Sequence, residues 1–152
     1  MTDPFAEFGI DLADAASFAF WNEENVRFSD VDMLGHVNNV SYAAYCESGR
    51  VHMIREVAAR CGVKNAWVLG RLTIDYGAEV TFPAVMRIGT RAVKIGTKSV
   101  TMGQGLFVEG RCVARSLAAV IAFDLETRKT IAVPEPVKQA MEALSPQPTL
   151  VA

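Results

Sequence analysis

Two aspartates at i and i+2, Asp30 and Asp32, stand just ahead of Gly35, His36 and the pair Asn38 and Asn39, and a long helical pattern follows. That order sets carboxylates beside a helix N-terminus. The first backbone N–H groups of a helix have no internal partner and carry a partial positive charge of roughly +0.5, so they can hold a carbonyl oxygen or an anion. A carboxylate next to such a socket is a minimal apparatus for acyl transfer. The carboxylate attacks the carbonyl carbon or takes a proton from water, while the N–H polarises the carbonyl. An asparagine at 38 or 39 can cap the helix. Gly35 supplies a backbone conformation that other residues resist, and Asp30 is read as fixing the loop through local backbone hydrogen bonds.

The elements that must position this group follow from periodicity. Phe18, Phe20, Val26 and Phe28 share one parity, which predicts a first strand over 18 to 28 that ends in the loop carrying the aspartates. From 39 to 61 the spacing predicts one helix about 35 Å long, with Val40, Ala44, Val51, Ile54 and Ala58 in one buried stripe and Gly62 as the stop. A helix that long needs a broad surface to lie on. The residues up to 124 supply one, reading as strands around Leu72 to Tyr76, Val85 to Ile95, Val100 to Val108 and Val113 to Phe123. The last is nearly continuous in apolar residues, as a central strand covered on both faces requires. Short links containing Gly or Pro favour an antiparallel meander. The division expected is an arm over 1 to 16, one domain over 17 to 145 with a short helix near 135 to 144, and a loose tail over 146 to 152.

With 152 residues, 51% of them hydrophobic, the chain has material for one sizeable core. A formal net charge of -2 gives no basic surplus, which argues against nucleic acid as a partner. Cys46, Cys61 and Cys112 lack CxxC or Cys/His spacing, so neither a disulfide framework nor a metal site is indicated. The first twenty residues hold no Lys or Arg, and no apolar run reaches membrane-spanning length. A cytoplasmic protein without a membrane partner is the expectation.

A strand, a long helix and an antiparallel sheet wrapping it make an α+β hotdog fold, with five or six strands around the helix. The stretch VRFSDVDMLGHVNNVSY resembles one branch of it, the 4-hydroxybenzoyl-CoA thioesterase-like acyl-CoA thioesterases. The resemblance rests on Asp30, Asp32, Gly35, His36, Val37, Asn38, Asn39, Tyr42, Glu47 and Arg50, and it extends over about 20 to 144. It implies hydrolysis of an acyl-CoA to a free acid and CoA, with Asp32 as the catalytic base or nucleophile. Gly35, Asn38, Asn39, Val40 and Tyr42 would contact substrate, the helix start near Asn39 and Val40 polarising the carbonyl. No cofactor is implied beyond CoA as part of the substrate. Homodimers forming one continuous sheet, or dimers of dimers, are implied as the assembly. Acyl-carrier-protein thioesterases share the HVNNVSY wording, and a non-catalytic acyl-CoA-binding module is a further alternative. Hotdog hydratases pair Asp with His across four residues, whereas three separate Asp32 from His36, so His36 is read as supporting the loop.

Glu47 falls inside the expected buried stripe and needs a partner. Arg50, three residues on, can supply it within the helix or across a dimer. Tyr42 and Tyr45 are read as lining a channel or a dimer seam. Trp67, Leu69, Phe82 and Met33 are candidates for an acyl pocket. Arg87, Arg91, Lys94 and Lys98 are read as a solvated strand face that could also meet CoA phosphates.

Overall fold

The computed structural model describes residues 2–151. Its elements run β1 (Phe20–Asn25), α1 (Asn39–Cys61), β2 (Ala66–Tyr76), β3 (Val85–Ile95), β4 (Ser99–Val108), β5 (Arg111–Asp124), β6 (Lys129–Thr130), α2 (Glu135–Ala143) and β7 (Leu150–Val151). The five long strands form one antiparallel sheet in the order β1-β3-β4-β5-β2, and the two-residue strands β6 and β7 add to β5 and β3. β3, β4 and β5 are the expected meander. Glu109 and Gly110, between β4 and β5, both take positive φ (51° and 78°), the conformation a two-residue hairpin turn demands.

The long helix has the bounds its sequence predicts. Asn38 caps it, its side chain accepting from the Val40 N–H at 3.1 Å. Gly62 ends it in the left-handed region (φ 71°) with its N–H on the Ala58 carbonyl. The face it buries is not the expected one. Tyr42, Tyr45, Cys46, Gly49, Arg50, Met53 and Val57 are buried, whereas Val40 is 71% exposed and Ala44 and Val51 also face outward. The physical reason is polar. Beneath the helix lie Gln104, Thr90 and Ser116, and the Gln104 amide donates to the Cys46 carbonyl (2.9 Å) and to Thr90 Oγ1 (3.0 Å). Gly49 lets the helix come that close: a Cβ there would stand 2.5 Å from Gln104 Nε2 and 2.7 Å from Ile88 Cγ2.

The first strand is shorter than its parity predicts. Phe18 instead joins Phe5, Ile10 and Leu12 of the N-terminal arm against Val93, Phe107 and Leu117 on the outer sheet face, and Phe28 is exposed in a 3-10 turn. The arm therefore covers the side of the central strands that the helix does not. Arg91 departs most from expectation. Where a solvated strand face is predicted, it is 1% exposed. Its guanidinium donates to the carbonyls of Ser17 (2.9 Å), Pro148 (2.7 Å) and Pro146, because irregular chain passing over the sheet edge offers unpaired carbonyls there. Arg87, Lys94 and Lys98 are exposed.

Candidate active site

A small closed loop presents the aspartates. Val31 and Val37 form a bridge, the Asp32 N–H donates to the His36 carbonyl (2.9 Å), and Gly35 turns the chain at φ 80°. Two further main-chain bonds dock the loop: Asn38 N–H to the Asp30 carbonyl (2.7 Å) and Val37 N–H to the Val80 carbonyl (2.8 Å). Helix α1 starts at once, so the loop and the helix N-terminus are one unit.

The two carboxylates have separate environments. Asp30 is buried, accepting from the Arg27 N–H (3.0 Å), the Arg27 Nε and the Tyr45 hydroxyl. Burial opposes its ionisation, but the Tyr45 hydroxyl and the Arg27 N–H and charge outweigh it and hold the carboxyl below its ordinary range. Burial and the Asp30 carboxylate together push the Tyr45 phenol well up. Asp32 is half-buried, and only its Oδ1 is engaged, by the N–H groups of Leu34 (2.9 Å) and His36 (3.4 Å). Its Oδ2 has no partner among the described residues.

Asp32 lines a shallow cavity of about 370 Å³ together with His36, Asn39, Tyr42, Tyr76 and Glu79. Beside it the N–H of Val40 is taken by the Asn38 side chain, while the N–H of Asn39, a lining residue, has no acceptor among the described residues. Tyr76 donates its hydroxyl to the Asn39 carbonyl (3.0 Å) and packs edge-on against Tyr42 at 5.2 Å. The cavity is thus lined by a residue with a free carboxylate oxygen, a residue with a free helix N–H, and two tyrosines.

Of the predicted site residues, the structure brings Asp32, Asn39 and Tyr42 to one cavity. Gly35, Asn38 and Val40 support it from behind, as turn, cap and first helical turn. Three lining residues escaped the assignment made from sequence. His36 contributes its ring, with Nε2 3.2 Å from Glu79 Oε2. Glu79 and Tyr76 arrive from the end of β2 and the turn after it, some forty residues along the chain, and only the YGAE turn wording hints at their placement. The expected acyl-pocket residues lie elsewhere. Met33 and Phe82 are exposed, as is Leu69 on β2, and Trp67 lines a separate apolar groove of about 590 Å³ with Ile54, Ala58 and Val63. A larger groove of about 910 Å³, at the ends of β1, β3 and β4, shares only Glu79 with the cavity.

Residues 26–141 match the family described as the thioesterase-like superfamily. Among solved structures, a thioesterase from Thermus thermophilus complexed with coenzyme A and Zn superposes with a TM-score of 0.76 at 27% identity, covering 87% of this chain and 98% of that one. The PA5185 protein of Pseudomonas aeruginosa PAO1 gives a TM-score of 0.77 at 25% identity, over 87% of this chain and 95% of the other. The uncharacterized protein YsmA of Bacillus subtilis strain 168 is 32% identical over 87 residues, 57% of this chain; the match spans 59% of YsmA.

Proposed function

Because the chain belongs to the thioesterase-like superfamily, we propose that it hydrolyses an acyl-CoA thioester to a free carboxylic acid and CoA, with Asp32 as the reacting carboxylate. The observation that carries the reading is the pairing in one cavity of the unengaged Asp32 Oδ2 with the open Asn39 N–H. A thioester carbonyl seated with its oxygen on that N–H presents its carbon to the carboxylate. The developing oxyanion gains a donor on the order of 3 kcal/mol, about a hundredfold in rate.

Two routes use the same geometry. Asp32 can take a proton from water, whose hydroxide adds to the carbonyl carbon before the thiolate departs. Alternatively Oδ2 attacks directly, the C–S bond breaks, and water then hydrolyses the mixed anhydride. Thiolate is a good leaving group, so neither route requires a strong general acid.

The proposed assembly is a homodimer. β2 is a sheet edge of eleven residues whose outer side pairs with nothing among the described residues, and Val68, Leu69 and Tyr76 on it are about half exposed. Such an edge is a template for strand addition.

Thiol release from short, medium, long and aromatic acyl-CoAs, comparing wild type with Asp32→Asn, tests the function. Cleavage of one class that the variant fails to perform is the expected result. Binding without cleavage of any acyl-CoA, or cleavage only of acyl-carrier-protein thioesters, would overturn it.

A further inference from the structure

On the face of the sheet opposite the Asp32 cavity, one row of residues crosses four strands: Arg71 on β2, Ala119 on β5, Thr101 on β4 and Lys94 on β3 are successive register partners. Register partners share a face, so a cation stands at each end of the row with two small residues between. At about 4.8 Å per strand spacing the backbones of Arg71 and Lys94 lie about 14 Å apart, within the joint reach of two long side chains. The N-terminal arm, turning at Ala6–Phe8, passes over this row and encloses with it a cavity of about 230 Å³. That is room for about seven waters at about 30 Å³ each. Arg71 and Lys94 are exposed, and neither joins an ion pair among the described residues. Glu7, the one acid in the lining, pairs with neither of them. Among the described residues the bonded threonine hydroxyls are those of Thr90 and Thr149, so the lining residues Thr73 and Thr101 offer open ones. The rest of the lining is apolar, with Leu117 buried on the sheet side and Phe8 half-buried on the arm side.

We propose that this cavity binds a small organic anion, its oxyanion held between Arg71 and Lys94 beside the Thr101 hydroxyl and its apolar body against Phe8 and Leu117. Two unpaired cations against one acid make the lining net positive, which selects an anion over a cation. The fork of Arg71 matches two oxygens of a carboxylate or phosphate ester, Lys94 adds a point charge, and the open hydroxyls donate to what remains. A bare inorganic ion would leave Phe8 and Leu117 facing water, whereas a ring or a short aliphatic chain covers them and fills the volume. Carboxylates and phosphate monoesters share this head chemistry. The cavity has no residue in common with the Asp32 cavity, and the sheet stands between the two, so its ligand does not compete with a thioester. One side of the cavity is arm and the other is sheet. A bound anion therefore ties the arm to β2, β3 and β4, and its binding free energy adds to the arm's hold on the outer face.

Calorimetric titration of the full chain with benzoate, phenyl phosphate, inorganic phosphate and benzylamine tests this, beside amide NMR shifts recorded over the same titrations. Benzoate or phenyl phosphate should bind saturably and move the amides of Thr101 and Ala119 with the same midpoint, and benzylamine should do neither. Arg71→Gln and Lys94→Gln, both at exposed positions, should each raise Kd by about tenfold or more, the usual loss for a hydrogen bond to a charged group. Glu7→Gln should lower it. Phe8→Ala should weaken the two aromatic anions more than inorganic phosphate. A Kd unchanged by Arg71→Gln and by Lys94→Gln would overturn the proposal, as would shifts confined to the Asp32 loop, equal affinity for benzylamine, or no saturable binding of any anion. Inorganic phosphate binding as tightly as phenyl phosphate, with Phe8→Ala without effect, would overturn the organic ligand. A preference for benzoate over phenyl phosphate supports the proposal with a carboxylate head, and the reverse supports it with a phosphate ester.

Discussion

The hydroxyl of Tyr45 donates to the carboxylate of Asp30, joining the core face of the long helix to the loop that presents Asp32. Fifteen residues separate the two in the chain, and the bond is buried. It divides the labour of the Asp-x-Asp pair: one carboxylate is used up in holding the loop, and the other is left with a free oxygen.

Asp30→Asn is therefore expected to cost about 1–3 kcal/mol of stability near neutral pH, through lost charge-assisted bonds in a buried site. The folded pKa lies below the unfolded value of ~3.9. The contribution is thus fully present well above that value and fades as pH falls through the folded pKa. Urea unfolding of both proteins should show a gap at about pH 7 that narrows in acid. A gap constant down to strongly acidic pH would contradict the assignment.

Asp32→Asn should leave unfolding nearly unchanged, because an amide oxygen can still accept from Leu34 and His36. Turnover should fall by roughly a hundredfold or more, the usual yield of a positioned base. Steady-state rates beside a thermal melt separate the two effects.

Asn38→Ala removes the cap from the Val40 N–H and should cost about 1 kcal/mol. Since the neighbouring Asn39 N–H is the proposed oxyanion donor, kcat should drop severalfold with KM less affected. A change in stability alone would detach the cap from catalysis.

Gly49→Ala puts a methyl group where Gln104, Ile88 and Thr90 already stand. Overpacking of this kind costs about 1–3 kcal/mol, or several degrees in Tm for a chain of this size. A melt unchanged from wild type would show that the helix can lift off the sheet at little cost.

β3, β4, β5, the second half of β2 and both ends of α1 were legible because turn chemistry and alternation are local, whereas β1 is shorter than expected and β2 begins six residues earlier, at Ala66. The face α1 buries was not. Its inward side holds Tyr42, Cys46, Gly49 and Arg50, which score poorly as an apolar stripe, while Val40, Ala44 and Val51 make a better stripe on the outside. Periodicity finds apolar residues but does not say whether they meet their own sheet or another molecule. The loop at Asp32 was readable from its motif, whereas Glu79 and Tyr76 depend on where β2 ends in space. Arg91 misled for a related reason: alternation cannot distinguish a solvated strand face from one covered by the chain's own ends.

One guanidinium gathers both of those ends. Arg91 donates to Ser17, where the arm enters β1, and to Pro146 and Pro148, where the chain leaves α2. The N-terminal arm and the segment after α2 are thereby coupled energetically. Deleting one leaves the buried cation with fewer acceptors and loosens its hold on the other, so the costs of trimming the two ends are not additive.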